Sequence, residues 1–412
     1  MQKKEINFGE LILKIRKATL KDFDRINEIT GISYGFNFEA IKERFFKKYE
    51  FTFDENYCLE IDGYIVANIR FIQFDQYIRG KKVKMGGIAM VVTDPLYRRK
   101  GYVRELMFYL IKKMADEKYA VSCLYPFKDT FYASFNYVNA NPFVRMKFKP
   151  ELFSRWKKLP EGYSIKRLNH TDGFKFYKEI HTKKIPQIHG GVERSEKRWR
   201  EFEEGRGDFI LALNSKGKTE GIMKVYSSGF STGFEWSEEG KINVTEFLCL
   251  TPKARHALYN YLYMYSDQIV EITLPIYTNE SELYTWFQGY YMVKLDPVNI
   301  WQGRIIDIKE TLEGMEVPIE GQKSFSVTDE LCSNNNQSYQ LTAKDGKLSV
   351  KELGKQEVDI KFTIEGLTAL VFGLLPCDEI EAFNWLKGTT SRDKQLLDKW
   401  FPVIAPILTE GF

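Results

Sequence analysis

Cysteine is scarce in this sequence, and the cysteines present follow no recognisable spacing. The 412 residues include five of them, an odd number. They are Cys58, Cys123, Cys249, Cys332 and Cys377, and none belongs to a Cys-x-x-Cys pair. A disulfide framework or a zinc knuckle needs regular spacing, so the sequence favours neither. Several of these residues lie in apolar, strand-like runs, where a free cysteine packs as a small hydrophobic side chain.

Histidine is equally scarce. The four histidines are His170, His181, His189 and His256, all in the middle of the chain. No two of them stand four residues apart, which is the spacing that presents two metal ligands on one face of a helix. We therefore predict that the protein holds no metal.

Long apolar runs are missing as well. The longest, ALVFGLLP near residue 370, is far shorter than the roughly 20 residues that a helix needs to cross a bilayer. The first residues, MQKKEINFGELILKIRK, contain no adequate apolar core for a secretory signal. We expect a cytoplasmic protein without a membrane span.

A strong excess of one charge is also absent. Lys and Arg number 60 against 56 for Asp and Glu, which gives a net charge of +4. This small excess does not indicate a general nucleic-acid binder. Hydrophobic residues make up 43% of the chain, enough for well-filled cores, and the length predicts two to four domains.

The stretch LYRRKGYVREL, residues 96–106, stands out against this background. Arg98, Arg99 and Lys100 directly precede Gly101, and apolar residues recur every three or four positions after it. This period predicts a helix that begins at the glycine. The first turn of a helix has free N–H groups and a partial positive charge that bind phosphate, and glycine lets a ligand approach closely. The alternative is a basic helix cap in solvent.

The strand before this helix adds a second feature. Residues 90–93 are predicted to form a strand that ends at Asp94-Pro95. Proline cannot donate to a β-ladder, so strand pairing can open there. An open strand edge can accept an extended, amide-containing ligand as if it were a neighbouring strand. The two features together suit coenzyme A, with its pyrophosphate on the turn and its pantetheine amides along the strand.

The organisation of the first third recurs, more faintly, in the middle of the chain. VVTDPLYRRKGYVRELMFYL compares with CLTPKARHALYNYLYMY, in which Pro252 takes the place of Pro95 but nothing replaces Gly101. From about residue 297 the composition shifts. VDIKFTI, residues 358–364, alternates between apolar and polar residues and predicts a strand, and Asp345-Gly346 predicts a hairpin. A small α+β domain is expected to close the chain.

A charged helix is predicted in the middle unit. RSEKRWREFEEGR, residues 194–206, has a helical period and charges of both signs. Mixed signs are typical of a face exposed to solvent, or of a rim around an active site, rather than of a nucleic-acid surface.

Several segments together resemble the GNAT acetyltransferase superfamily, whose motif A reads Arg/Gln-x-x-Gly-x-Gly/Ala. Arg98 and Gly101 match this motif, and Val103 stands where its last Gly or Ala is expected. YRRKGYVREL is similar to the bulkier variant in Eis-like (enhanced intracellular survival) N-acetyltransferases. TFYASFNY, residues 130–137, resembles an aromatic segment of that family, with Asn136 in place of a glycine. Asparagine tolerates a left-handed backbone better than most residues.

The resemblance implies an architecture that mixes α/β and α+β units. Tandem GNAT acyltransferase domains, each a mixed, mainly antiparallel sheet with flanking helices, would be followed by a sterol-carrier-protein-like α+β domain. Residues 1–150 would hold acetyl-CoA, residues 151–296 would form a degenerate GNAT domain without cofactor, and residues 297–412 would form the third domain. Eis-like proteins are typically hexamers, so a homo-oligomer is also implied.

The resemblance further implies which residues contact acetyl-CoA. They comprise Val91, Val92 and Thr93 on the strand, then Arg99, Lys100, Gly101, Tyr102, Val103 and Arg104 around the pyrophosphate, and Phe127 and Lys128 flanking the pantetheine.

Acetyl transfer to an amine also needs an acid and a base. By resemblance the general acid is Tyr132, because a tyrosine can protonate a departing thiolate; its spacing among aromatic residues alone would equally suit a core residue. By resemblance the base is the C-terminal carboxylate of Phe412. The apolar ending IAPILTEGF favours a docked tail over a frayed one. Glu410 is expected to attract a cationic substrate.

The predicted function is therefore acetyl-CoA-dependent N-acetylation of small-molecule amines, with aminoglycosides and lysine-like amines as the implied substrates. The alternative is a non-catalytic CoA- or lipid-binding protein that uses the apolar face of the third domain. A third reading is a tandem GNAT protein that transfers aminoacyl groups from tRNA, although the sequence contains no strong basic groove for tRNA.

Overall fold

The computed structural model describes residues 4–8, 11–141, 143–228, 240–276, 292–298 and 300–412. Its strands fall into three stretches of chain. The first holds β1 (Lys4–Phe8), β2 (Leu11–Lys17), β3 (Asn56–Ile61), β4 (Tyr64–Ile78), β5 (Lys81–Thr93), β6 (Val121–Leu124), β7 (Val138–Asn139) and β8 (Phe143–Phe148). The second holds β9 (Ser164–Asn169), β10 (Val192–Glu193), β11 (Asp208–Leu213), β12 (Thr219–Ser228), β13 (Lys241–Cys249), β14 (Glu271–Ile276) and β15 (Lys294–Val298). The third holds β16 (Gln302–Ile305), β17 (Gly321–Thr328), β18 (Ser338–Lys344), β19 (Lys347–Gly354), β20 (Lys361–Thr363) and β21 (Leu386–Lys387).

The helices alternate with these strands. Those of the first two stretches are α1 (Phe23–Tyr34), α2 (Lys42–Tyr49), α3 (Tyr102–Asp116), α4 (Asp129–Ala133), α5 (His170–Lys184), α6 (Glu196–Glu203) and α7 (Pro252–Tyr263). Those of the last stretch are α8 (Ile308–Leu312), α9 (Ile364–Val371), α10 (Cys377–Ala382) and α11 (Ser391–Trp400). None of the helices among the described residues has both the length and the apolar character needed to cross a membrane.

Three sheets organise the described chain. The first has the order β1-β2-β3-β4-β5-β6-β16-β7, with β10 also paired to β4. The second has the order β15-β8-β14-β13-β12-β11-β9, and the third β19-β18-β17-β20-β21. Each sheet is mainly antiparallel but contains one parallel pair, which is β5–β6, β13–β14 and β17–β20 respectively. The first two parallel pairs are each connected through a helix, α3 and α7, as expected for two copies of one unit.

The sheets do not divide along the chain at residues 150 and 296. β8 precedes residue 150 but pairs with β14 and β15 of the second sheet. β16 follows residue 296 but lies between β6 and β7 of the first sheet. The three sequence-predicted domains are therefore tied together by strands that cross into a neighbouring sheet.

One hydrophobic cluster joins the first and third sheets. Its members include Ile72, Phe74 and Met85 from the first sheet and Phe325, Phe362 and Trp400 from the third unit, all nearly inaccessible to solvent. Burial of such side chains is the main favourable term in folding. The core of the third unit is thus continuous with that of the first sheet.

Local sequence explains where several elements begin and end. Asp345 and Gly346 have φ of 53° and 75° in the β18–β19 hairpin, as predicted for an Asp-Gly turn. The predicted strand over 358–364 is shorter than expected, since β20 covers only Lys361–Thr363. Thr363 instead caps α9, and its hydroxyl accepts a hydrogen bond from the N–H of Gly366.

Candidate active site

β5 is paired on both sides for only part of its length. It pairs with β6 from Met85 to Ile88, whereas its pairing with β4 continues to Thr93. The pairing between β4 and β5 shifts its register at one point. Asn68 faces Val92, but Arg70, two residues later on β4, faces Ala89, three residues earlier on β5. The extra residue produces a β-bulge, which bends the strand. The described chain therefore leaves one backbone edge of residues 89–93 without a partner strand.

The bulge includes Met90, whose φ is 47°. A positive φ is uncommon for a residue with a side chain and indicates that the surrounding structure enforces it. Val92 is buried against the side of the sheet that carries α1, while Val91 and Thr93 are partly exposed. Of these three sequence-predicted residues, Val92 can thus offer a ligand only its main chain.

The basic turn after β5 has two kinds of arginine. The Nε of Arg98 donates to the carbonyl of Thr93 over 3.2 Å, and its Nη2 donates to the hydroxyl of Ser33 over 3.3 Å. Arg98 therefore braces the end of β5 against α1. Arg99, by contrast, is exposed, and no hydrogen bond or ion pair within the described residues engages its side chain.

Helix α3 begins at the predicted glycine. Gly101 has a φ of 85°, and no side chain caps the helix. The first helical hydrogen bond runs from the N–H of Glu105 to the carbonyl of Gly101 over 3.1 Å. In the described chain the N–H groups of Tyr102, Val103 and Arg104 therefore have no acceptor. This matches the free donors expected at a helix start.

These donors fit acetyl-CoA. Three free N–H groups at the start of a 15-residue helix, with Arg99, Lys100 and Arg104 beside them, can bind a pyrophosphate. The unpaired edge of β5 offers alternating donors and acceptors to the amides of a pantetheine arm. Phe127, 64% exposed, and Lys128 follow β6, which diverges from this edge.

Tyr132 lies in α4 and is only 2% exposed. Its ring contacts Phe127 and Phe131 at centroid distances of 5.5 and 5.0 Å. Burial raises the pKa of its hydroxyl well above the ordinary value, and the nearby hydroxyl of Tyr34 adds to the effect. No hydrogen bond within the described residues engages that hydroxyl. A phenol that is protonated at neutral pH and has no partner among the described residues can donate a hydrogen bond to a ligand.

The loop after α4 is fixed by a buried arginine on β16. The guanidinium of Arg304 donates through Nη1 to the carbonyl of Phe135 and, over 3.2 Å, to Oδ1 of Asn136. Its Nη2 pairs with Asp329 over 2.6 Å, and both charged groups are inaccessible to solvent. Asn136 has a φ of 62°, as predicted for the residue that replaces a glycine. The strand inserted from beyond residue 300 thus holds the helix that carries Tyr132.

The C-terminal tail docks on the first sheet. The ring of Phe412 lies 5.2 Å from that of Phe74 and 5.6 Å from that of Tyr125. A Cβ on Gly87 would stand 3.2 Å from the Phe412 ring, so the glycine allows this close approach. Gly87 is next to Ile88, where pairing between β5 and β6 ends. The tail therefore reaches the place where β5 and β6 separate and the edge of residues 89–93 becomes unpaired.

Glu410 does not have the expected role. Its side chain is 0% exposed and pairs with Arg194 over 2.5 Å and with Arg198 over 3.1 Å. A carboxylate so buried and neutralised cannot attract a cationic substrate from solvent. The expectation was wrong because sequence gave no sign that two arginines would enclose this residue.

Helix α6 forms as predicted, with Glu196, Arg200 and Glu203 exposed, but its other side carries charges that are buried. Arg198, Trp199 and Glu201 are buried, so these two charged residues do not lie on the solvent face. Glu201 pairs with Arg70 of β4 over 2.8 Å, and Arg70 pairs with Glu55 over 2.7 Å. The opposite charges of Arg198 and Glu201 three residues apart were the only sequence signal of this arrangement.

The second parallel pair lacks the phosphate-binding features of the first. β13 and β14 also diverge, since they pair only over Lys241–Asn243 and Glu271–Thr273. The hydroxyl of Thr251, however, accepts a hydrogen bond from the N–H of Ala254 at the start of α7, and Pro252 has no N–H. The helix start therefore has fewer free donors, and no glycine stands in the place of Gly101.

Comparison with known protein families identifies three domains. An acetyltransferase (GNAT) domain family matches residues 14–140, a second acetyltransferase (GNAT) domain family matches residues 190–287, and a sterol carrier protein domain family matches residues 308–409. No curated protein matches the chain by sequence.

Solved structures share the whole fold. A GCN5-related N-acetyltransferase from Anabaena variabilis is 17% identical, with a TM-score of 0.85, 97% of this chain covered and 100% of that one. A probable N-acyltransferase from Enterococcus faecalis is 20% identical, with a TM-score of 0.83 and coverages of 98% and 100%. Eis1 from Mycobacterium abscessus is 14% identical, with a TM-score of 0.76 and coverages of 97% and 100%. The chain therefore contains two acetyltransferase (GNAT) domains, a kind of domain whose cosubstrate is acetyl-CoA, and a sterol carrier protein domain, and it shares its three-domain fold with Eis1.

Proposed function

We propose that the protein acetylates primary amines of small molecules, with aminoglycosides and lysine-like amines as the substrate class. The observation that carries this proposal is the unpaired edge of β5, which leads directly into the uncapped, basic start of α3. The choice of amine rests on the resemblance to Eis-like enzymes.

The cosubstrate is proposed to lie along β5 and α3. The main chains of Val91, Val92 and Thr93 would bind the pantetheine amides, and Phe127 and Lys128 would flank that arm. The pyrophosphate would be held by residues from the turn and the first helical turn, namely Arg99, Lys100, Gly101, Tyr102, Val103 and Arg104. Acetyl-CoA supplies the acetyl group as a thioester.

Two groups are proposed to move protons. The carboxylate of Phe412 would accept the proton that the substrate ammonium must lose before its nitrogen can attack. As the new C–N bond forms and the C–S bond breaks, Tyr132 would give its proton to the leaving sulfur.

The first experiment is thiol release from acetyl-CoA by the purified protein, with and without kanamycin or neomycin. Amine-dependent release is expected, and Arg99→Ala should raise the KM for acetyl-CoA because one phosphate contact is lost. Arg206→Ala is the matched control, since Arg206 is also exposed and has no ion pair among the described residues. Binding of acetyl-CoA without release by any amine would favour the non-catalytic alternative.

The base is tested by moving the carboxylate. Adding one glycine after Phe412 keeps its ring but shifts the terminal charge by one residue, and we expect kcat to fall while the KM for acetyl-CoA stays unchanged. Full activity of the extended chain would exclude the carboxylate as base. We also propose a homo-oligomer, a hexamer by resemblance, which light scattering tests directly.

A further inference from the structure

The residues before Phe412 are held from three sides. The hydroxyl of Tyr125, from the first sheet, donates to the carbonyl of Glu410 over 3.0 Å. The N–H of Val192 donates to the hydroxyl of Thr409 over 2.9 Å, and the N–H of Ile407 donates to the carbonyl of His189 over 2.8 Å. The second unit thus makes most of the hydrogen bonds that hold residues 407–411 within the described chain.

Arg198 of α6 makes the most specific of these contacts. Its Nε donates to Oε1 of Glu410 over 3.1 Å, and its Nη2 donates to the carbonyl of Gly411 over 2.8 Å. One planar guanidinium therefore fixes the side chain of one residue and the main chain of the next, directly before Phe412. Such a two-point contact sets direction as well as distance.

Arg194 completes the enclosure of Glu410. It lies just before α6, pairs with the second carboxylate oxygen of Glu410 and donates to the hydroxyl of Tyr177 over 2.7 Å. Both arginines and the carboxylate are nearly or fully buried. Their positions are therefore determined by packing rather than by solvent.

The buried ion cluster of Arg194, Arg198 and Glu410 continues to β4. Glu201 links Arg198 to Arg70, and Arg70 is one of the residues opposite the bulge in β5. The guanidinium of Arg198 also lies 5.9 Å from the ring of Phe74, which packs on Phe412. The same set of charges thus contacts the docked tail and the strand beside the opening.

A buried ion cluster of this size is a poor source of stability. Removing charges from water costs about as much as their attraction returns, and apolar replacements are often as stable. Buried charged groups instead favour one arrangement over others, because an alternative arrangement leaves a charge unpaired. This cluster surrounds the residues directly before Phe412, so the arrangement that it favours is that of the C-terminal tail.

We infer that Arg198, with Arg194 acting through Glu410, positions the terminal carboxylate of Phe412 for the reaction in the first domain. The inference rests on the proposed function. It gives the second GNAT domain a role in catalysis without a cofactor of its own. Arg198 is a positioning residue, since it touches Glu410 and Gly411 and acts through the tail.

The kinetic test compares Arg198→Met and Arg198→Lys with Arg200→Met, a substitution on the exposed side of the same helix. Misplacing a reacting group by about 1 Å can cost roughly 100-fold, so Arg198→Met should lower kcat by about 10- to 100-fold. The KM for acetyl-CoA should change less than about twofold, and Arg198→Lys should recover part of the loss. Arg200→Met should match the parent enzyme.

Chemical rescue separates positioning from folding. Added guanidinium should restore part of the activity of Arg198→Ala, because it can occupy the vacated site between Glu410 and Gly411. Two results together would overturn the inference. They are a loss of kcat that neither guanidinium nor Arg198→Lys relieves, and a fall in melting temperature that is the same in Arg198→Ala and Arg198→Lys. Arg198 would then have only a structural role.

A second measurement does not depend on activity. Carboxypeptidase A removes C-terminal aromatic residues, and its access to Phe412 reports how firmly the tail is held. Loss of two charge-assisted hydrogen bonds should speed release of Phe412 by about tenfold or more in Arg198→Met, with no change in Arg200→Met. Equal release rates would overturn the inference. An enzyme that releases no thiol with any amine, but shows this difference, would instead overturn the proposed function.

Discussion

Tyr132 and Tyr137 are buried tyrosines of the same segment with different surroundings. Both are at most 3% exposed. The hydroxyl of Tyr137 shares a hydrogen bond of 2.7 Å with Ser122, whereas no described residue binds that of Tyr132. The Tyr132 hydroxyl is not one of the fully enclosed, unpartnered side-chain atoms of the described residues, so it is accessible to a ligand.

Removing each hydroxyl should have opposite effects. Tyr132→Phe is expected to lower kcat by roughly 100- to 10,000-fold, the usual contribution of general acid catalysis, with little change in stability. Tyr137→Phe should keep kcat but lower the free energy of unfolding by about 1 kcal/mol, since it breaks a buried hydrogen bond. Steady-state kinetics and urea denaturation of both variants check this. Unchanged turnover in Tyr132→Phe would remove it from the mechanism.

The backbone conformation of some single residues could be predicted from the sequence, but the burial of others could not. The backbone demands of Gly101 and Asn136 could be predicted, because a left-handed conformation selects these residue types. The burial of Glu410 and Arg198 could not, because their partners are more than 200 positions apart along the chain. Charge alone does not reveal whether an ionised side chain meets solvent or a distant partner.

At the level of elements, α3 depends on its first residue. Gly101 has a φ of 85° and open space around its Cα, so strain rather than collision limits substitution there. Gly217, with a φ of 72° in the β11–β12 turn, has the same properties far from α3 in sequence. The two glycines form a matched pair.

Alanine at either position should cost about 1–2 kcal/mol of stability, because a left-handed conformation is disfavoured for residues with a Cβ. Only Gly101→Ala is expected to raise the KM for acetyl-CoA, since it alters the start of α3. Thermal melting and acetyl-CoA titration of both variants give the comparison. A similar rise in KM for Gly217→Ala would show that the effect is general destabilisation.

β16 depends on the pairing of Arg304 with Asp329. Arg304→Met leaves Asp329 buried without its cation, which should cost about 3–5 kcal/mol. Adding Asp329→Asn should recover part of that loss, because the unpaired charge disappears. Urea denaturation of the single and double variants measures both values. Equal stability of Arg304→Met and the parent protein would contradict the importance of this pair.

The existence of elements was more predictable than their pairing. Period and turn residues predicted α3, α6 and the Asp345-Gly346 hairpin. The placement of β8 and β16 in neighbouring sheets could not be predicted, because local pattern carries no information about which strand edge is vacant. The strand predicted from VDIKFTI was too long. The alternation of apolar and polar residues continues to Ile364, but Thr363 caps α9, so Ile364 belongs to the helix.

Across the whole molecule, His189 joins all three units. Its Nδ1 accepts from the N–H of Arg79 in the β4–β5 turn over 3.0 Å, so its Nε2 donates to the carbonyl of Phe372 after α9 over 2.9 Å. Burial lowers the pKa of His189 to about 4. A second proton would point at the Arg79 N–H and break this junction.

Stability should therefore depend on pH. The unfolded chain takes up a proton on this histidine near pH 6.5 and the folded one only near pH 4, so the free energy of unfolding falls as pH decreases across that window. The contribution is at most about 3 kcal/mol. His189→Gln, which keeps one donor and one acceptor, should show a flatter profile. Parallel profiles for the two proteins would show that His189 does not contribute.

The insertion of β16 has a consequence for synthesis on the ribosome. Leu124 of β6 emerges long before Gln302, its partner in the first sheet. At about 5–20 residues per second, the roughly 180 intervening residues take about 10–40 s. Throughout this interval the nascent first domain carries an unpaired strand edge, which is a template for association with other chains. We therefore expect a chain truncated before residue 302 to aggregate, and the nascent protein to depend on chaperones until the strand arrives.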